Sequence, residues 1–146
     1  MSYHEYDILI VEDNYNDAEL ILRALKKMNL DKRAMLIKDG AETLDFIFSR
    51  GKYEGKININ TLKVIYLDIK LPKVDGLTIL KKLKKEQKAS KIPVVMFSSS
   101  SETKDVEEAL KLGANSYVVK PLKFKEFTQT VQKMSDYWVN INRIIE

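Results

Sequence analysis

Four short apolar runs in this chain each end on a reactive polar residue. Ile8-Leu9-Ile10-Val11 runs into Glu12-Asp13, and Val64-Ile65-Tyr66-Leu67 runs into Asp68. Val94-Val95-Met96-Phe97 runs into Ser98, and Tyr117-Val118-Val119 runs into Lys120. Runs this short are the length of buried strands rather than of helices. If the strands are parallel, their carboxyl ends share one edge of one sheet, where open α/β sheets bind ligands. One small site would then gather three carboxylates, a hydroxyl and an ammonium, a set suited to a divalent cation and a phosphoryl group.

The segments between the runs carry the other period. Ala18, Ile21, Leu22, Leu25 and Met28 recur at helical spacing, predicting a helix over 16–29 with Asn14 as a cap near its start. A short strand follows over 33–37, then a helix over 41–49 with Leu44, Ile47 and Phe48 inward. The stretch 50–63, with Gly51 and Gly55, reads as a long surface loop, the kind that is either functional or a tolerated insertion. Leu77, Leu80 and Leu83 mark a third helix. Val106, Ala109 and Leu110 mark a fourth, stopped by Gly113, and a fifth begins near Phe124. With strands over 6–11, 64–68, 93–98 and 116–119, the alternation is strictly strand–helix. That predicts an α/β fold: one domain over 1–146, with a doubly wound, five-stranded parallel sheet covered on both faces.

Composition narrows the function. The chain has 146 residues, 45% hydrophobic, enough for one core. It has no cysteine, which removes disulfides and thiolate metal sites. No run approaches the roughly 18 apolar residues of a membrane span, and no signal peptide opens the chain. A cytoplasmic protein without membrane contact is therefore expected. The net charge of +4 raises the question of nucleic acid. The lysines concentrate at Lys81, Lys82, Lys84, Lys85, Lys88 and Lys91, the ordinary pattern of a solvated helix face. No DNA-binding motif accompanies them, so direct DNA binding is not expected.

Among the strand-end residues, Asp68 is the best nucleophile, since a carboxylate can attack phosphorus to give an acyl phosphate. Glu12, Asp13 and Asp68 are hard oxygen ligands suited to Mg²⁺. Lys120 can set a point charge on a phosphoryl oxygen, and Ser98 can donate a hydrogen bond to another. Each residue alone has an ordinary explanation: helix caps for Glu12-Asp13, a loop for the serines, a surface lysine before a proline. Their coincidence at four strand ends does not.

The stretches Ile10-Val11-Glu12-Asp13-Asn14, Tyr66-Leu67-Asp68-Ile69-Lys70-Leu71-Pro72, Pro93-Val94-Val95-Met96-Phe97-Ser98-Ser99 and Tyr117-Val118-Val119-Lys120-Pro121 resemble the receiver domain of bacterial two-component response regulators. The resemblance runs from Ile8 to about Met134. It implies a flavodoxin-like (βα)5 fold with strand order 2-1-3-4-5. It implies that Asp68 accepts phosphate from a sensor histidine kinase, and that Glu12, Asp13, Asp68 and the backbone carbonyl of Lys70 hold Mg²⁺, with Mn²⁺ a substitute. It makes Ser98 and Tyr117 a switch pair, sets Lys120 on the phosphate, and implies a cis Lys120–Pro121 peptide. Glu12 stands where many relatives carry Asp. Lys70 stands where many carry Asn, so an atypical phosphoryl lifetime is expected.

The chain has no room for an output domain after the last helix, so a stand-alone receiver is expected. Its output would be binding to another protein or relay to a phosphotransfer protein. The long loop and Tyr137-Trp138-Val139 are similar to the small regulators associated with bacterial phytochromes. Phe124, Phe127, Val131, Met134, Trp138, Ile141 and Ile145 form a seven-residue repeat, predicting an extended helix of about 33 Å. Trp138, Ile141 and Ile145 are expected to meet a partner, a second copy being one candidate, unless they pack on the chain's own sheet. Two other functions compete: a phosphate-independent adaptor and an aspartyl-phosphate phosphatase. The intact acid, hydroxyl and lysine set argues against the first. The second needs an Asp two positions after the nucleophile, where this chain has Lys70.

Overall fold

The computed structural model describes residues 4–144. Five strands, β1 (Ile8–Val11), β2 (Ala34–Ile37), β3 (Val64–Leu67), β4 (Val94–Ser98) and β5 (Ser116–Val119), form one parallel sheet in the order β2-β1-β3-β4-β5. The three central strands are buried on every residue, which is why they read as unbroken apolar runs; the edge strands β2 and β5 are half-buried. Alternate residues of the central strands feed two cores. Leu9, Val11, Ile65, Leu67 and Met96 face α2 (Gly40–Ile47), α3 (Gly76–Lys85) and α4 (Thr103–Lys111). Ile8, Ile10, Val64, Tyr66 and Phe97 face α1 (Tyr15–Lys26) and α5 (Phe124–Ser135).

Caps set where the helices begin. Asn14, Asp39 and Asp75 each accept a hydrogen bond from the backbone N–H three residues on, at the starts of α1, α2 and α3. On α4 only Ala109 is buried, and Leu110, expected inward, is 48% exposed. The stretch 50–63 is more ordered than a plain surface loop. It contains two 3-10 turns, Gly51–Tyr53 and Ile59–Thr61, and a bridge between Ile57 and His4. Tyr53 is buried edge-on against Phe46, ring centroids 5.2 Å apart, and its hydroxyl donates to Glu42. Leu62 is buried where β3 begins.

The last helix departs from the seven-residue repeat. After Ser135 the chain continues as a π-helix over Asp136–Ile141, wider than an α-helix by one residue per turn. The buried face steps by four, from Val131 to Ser135 within α5 and then to Val139 in the π segment. Ser135 lies in the core because Tyr66 does: their hydroxyls are 2.8 Å apart, each satisfying the other. Lys63 Nζ donates to the Val139 carbonyl, 3.2 Å, tying the π segment to the start of β3. Trp138 packs half-buried against the core and edge-on to Tyr137, while Ile141 is 59% exposed; Ile145 lies outside the described residues.

The Tyr66–Ser135 pair gives a stability prediction. Ser135→Ala or Tyr66→Phe alone strands a buried hydroxyl or removes its partner, and each should cost about 1–3 kcal/mol in urea unfolding. The double substitution should cost clearly less than the sum of the two, because neither hydroxyl is then left unpaired.

Candidate functional site

Sheet register brings the strand-end residues together. Val11 pairs with Leu67, so Glu12 and Asp68 leave adjacent strands side by side. Ser98 pairs with Val119, so Lys120 leaves β5 directly beside it. The backbone is fixed at this edge: Asp68 N–H donates to the Val11 carbonyl, 3.2 Å, and Lys120 N–H to that of Ser98, 2.8 Å. Gly76 opens α3 against the same edge. A Cβ there would lie 1.9 Å from the Asp68 carbonyl oxygen, so only glycine lets α3 start this close.

Lys120 is the centre of the site. Its Nζ lies 2.6 Å from Glu12 Oε1, 2.8 Å from Asp68 Oδ2 and 2.9 Å from Asp17 Oδ2, with the lysine side chain only 6% exposed. Three carboxylates use the three ammonium protons. The second oxygens of Asp68 and Glu12 are held by backbone: Ile69 N–H donates to Asp68 Oδ1 at 2.7 Å, and Asn14 N–H to Glu12 Oε2 at 3.1 Å. No buried side-chain polar atom among the described residues lacks a partner. Burial alone would lower the Lys120 pKa, but the hydrogen bonds that it donates to Asp68, Glu12 and Asp17 outweigh it and hold the ammonium above the ordinary lysine range. Burial pushes the Glu12 carboxyl up to about 7; the Asp68 charge adds to the rise, and Lys120 and the Asn14 N–H oppose it.

Glu12, Asp13 and Asp68 each offer a carboxylate oxygen within 4.8 Å of the others. Asp13 is exposed, whereas Glu12 and Asp68 are buried. Such hard oxygen donors, one of them open to water, could hold a small divalent cation that keeps part of its hydration. Asp13 and Lys70 line an open cavity of about 660 Å³ beside α3. Ser98 is buried and its Oγ accepts from Ser100 N–H, 3.2 Å. Tyr117 is half-buried on β5, and its hydroxyl donates to the Ser100 carbonyl, 2.8 Å. Ser100 thus joins the two residues expected to act as a pair.

Two features differ from the reading of the sequence. No peptide bond among the described residues is cis, so the expected cis Lys120–Pro121 bond is absent. Trans is the favoured isomer even before proline, and with it Lys120 already reaches all three acids. Asp17, unremarked in the sequence, is a full partner of Lys120. Its signal was present: it lies one helical turn after Asp13 in the first turn of α1, where acids also favour the helix dipole.

An aspartate, two further acids and a lysine at the carboxyl edge of a 2-1-3-4-5 parallel sheet define the receiver class of signalling proteins. The chain belongs to the response regulator receiver family, whose domain model matches residues 8–132. It is 35% identical over 136 residues to the probable methanogenesis regulatory protein FilR2 of Methanothrix harundinacea, covering 93% of this chain and 85% of that one. It is 32% identical to the response regulator Rcp1 of Synechocystis, covering 90% and 88% of the two chains. The crystal structure of the Mn²⁺-bound form of Rcp1 superposes with a TM-score of 0.87 at 30% identity, covering 95% and 98%. That of the phosphorylated cyanobacterial phytochrome response regulator RcpA gives 0.88 at 27%, covering 98% and 100%. The fold is thus the flavodoxin-like receiver fold, and the chain is a two-component signalling protein. No helix among the described residues is long and apolar enough to cross a membrane.

The raised Glu12 pKa sets a pH dependence for the metal-free chain. A carboxyl raised from 4.5 to about 7 on folding contributes stability that is fully present below 4.5 and is lost as pH rises through about 7. Urea denaturation across that window should show the wild type losing ground relative to Glu12→Gln, whose amide does not titrate. A constant difference between the two would contradict the shift.

Proposed function

We infer that this receiver is phosphorylated on Asp68 by the phosphohistidine of a sensor histidine kinase, in a reaction that requires Mg²⁺ or Mn²⁺. The observation that carries the reading is the convergence of Glu12, Asp17 and Asp68 on the Lys120 ammonium, with Asp13 open beside them. An Asp68 carboxylate oxygen attacks phosphorus, a P–O bond forms and the P–N bond to the kinase histidine breaks. The electron pair leaves on the imidazole, which takes up a proton from water.

Glu12, Asp13, Asp68 and the backbone carbonyl of Lys70 are the residues that would hold the cation. Bound there, it neutralises charge that would otherwise repel the incoming phosphoryl group. Lys120 lies 2.8 Å from Asp68 Oδ2, so it needs little movement to pair with a phosphoryl oxygen. Ser98 supplies a hydroxyl to the same group. When that hydroxyl turns toward the phosphate, the Ser100 N–H loses its acceptor, and the disturbance passes to Tyr117 through the Ser100 carbonyl. A phosphate at Asp68 is thereby read at the outer edge of the sheet.

The chain acts as a phosphoacceptor rather than as an enzyme on external substrates, because Lys70 stands where an aspartyl phosphatase would need its acid. The same side chain, exposed at the mouth of the site, is expected to alter the lifetime of the acyl phosphate. The likeness to RcpA, a phytochrome response regulator, favours a kinase of the phytochrome kind as donor. A downstream protein or a phosphotransfer protein receives the signal in the cytoplasm. Tyr137 and Ile141, 47% and 59% exposed, leave apolar surface for such a partner or for a second copy of the chain.

Incubation with acetyl phosphate and Mg²⁺ should add one phosphoryl mass to the wild type and none to Asp68→Asn. Chelation of the cation should abolish the wild-type adduct. A wild type left unmodified in the presence of Mg²⁺ would favour the phosphate-independent adaptor, and sustained multiple turnover of an external phosphoester would favour the phosphatase.

A further inference from the structure

We propose that a trough at the edge of the sheet opposite Asp68 binds an acidic, apolar-anchored peptide segment of a partner protein. Three adjoining cavities of about 340, 530 and 220 Å³ run between the carboxyl ends of α2 and α3 and the segments leading into β3 and β4. The first two share Phe48 and Glu86, and the second and third share Ile59, Asn60 and Lys88, so the three lie side by side along one face. The floor is apolar: Phe48, Ile57 and Ile59 are half-buried against the core. The ordered stretch 50–63 builds one wall, which gives that insertion a use that Asp68 chemistry does not.

The rim is cationic. Arg50, Lys82, Lys85, Lys88 and Lys91 line the three cavities, against one carboxylate, that of Glu86. The four lysines are exposed, and none of them takes part in an ion pair among the described residues. Lysines at a helix end commonly do no more than complement its dipole. That accounts for Lys82 and Lys85 in the last turns of α3, but not for Lys88 and Lys91 beyond it. Arg50 arrives from after α2, pairs with Asp45 at 3.5 Å and lies over the Phe48 ring, 5.3 Å from its centroid, so its charge is partly met within the chain while that of the four lysines is not. Positive charge from separate elements thus surrounds a recessed apolar floor.

That combination selects its occupant. Carboxylates of a peptide meet the lysines while its apolar side chains fill the cavities, the division of labour typical of groove-bound peptides. Nucleic acid fits less well, because the half-buried floor offers aliphatic side chains and a single ring, Phe48, rather than a platform of aromatic rings on which bases stack. A lipid surface fits less well because the apolar floor is recessed. The most exposed large apolar side chains, Leu122 and Tyr15, follow Lys120 and precede Asp17 and so belong to the Asp68 edge.

The test is a backbone-amide NMR titration of the full chain with a panel of peptides combining glutamate with leucine, isoleucine or phenylalanine. Lysine-for-glutamate versions of the same peptides, a single-stranded RNA and phosphatidylserine vesicles serve as competitors. Saturable shifts confined to residues 47–60 and 82–92 are expected with acidic peptides. The exposed triple reversal Lys85→Glu, Lys88→Glu, Lys91→Glu should weaken that binding at least about tenfold, without loss of the urea midpoint or of acetyl phosphate labelling. The proposal is overturned if no acidic peptide shifts those amides, if the triple variant binds equally well, or if RNA or vesicles are preferred. Labelling at Asp68 is scored independently, so failure here leaves the phosphoacceptor reading untouched.

Discussion

The site depends on one ammonium group. Four carboxylates, Glu12, Asp13, Asp17 and Asp68, crowd the carboxyl edge of the sheet, three of them directly on Lys120. Without that positive charge, two buried acids and a half-buried third would face each other in a poorly solvated pocket, where unpaired charge is costly. The burial of Lys120 is itself tolerable only because each of its protons has an acceptor. In the proposed function these acids would serve a cation and a phosphoryl group; in this structure the lysine holds them together.

Sheet register makes the lysine's reach possible. Lys120 is drawn from the edge strand β5, two strands from Asp68, and its long stem spans β4 to get there. The pairing of β1 with β3 sets Glu12 level with Asp68, Ser98 and Lys120 follow further along the same carboxyl edge, and Gly76 allows α3 to start close against the Asp68 carbonyl. The two cores beneath are sorted by simple alternation along β1, β3 and β4. The acidic edge therefore rests on the most buried part of the molecule, while Ser100 and Tyr117, joined by a hydrogen bond, lie at its half-buried side.

The sheet was legible because three strands are covered on both faces. Continuous apolar runs such as Ile8–Val11 leave little choice of structure, and the polar residue after each run marks the ligand edge. Helix starts were legible where a cap was involved, as at Asn14. The tail was not: its seven-residue repeat favoured Met134 and Trp138, whereas the Tyr66 hydroxyl demands Ser135 inward, and the π turn then brings Val139 in. That requirement comes from a residue 69 positions away and leaves no periodic trace. Asp17 escaped for a similar reason, since its partner is 103 residues distant. The stretch 50–63 lacks periodicity because single residues, Tyr53 and Leu62, anchor it rather than a face.

If Lys120 is the charge that lets the acids assemble, its loss and a divalent cation should compensate one another. The direct measurement is the urea unfolding free energy of Lys120→Met beside the wild type, with and without Mn²⁺. The metal-free variant should lose about 3–5 kcal/mol, the scale for breaking a buried ion pair, and Mn²⁺ should restore more stability to the variant than it adds to the wild type. A variant as stable as the wild type without metal, or an equal increment from Mn²⁺ in both, would contradict the account.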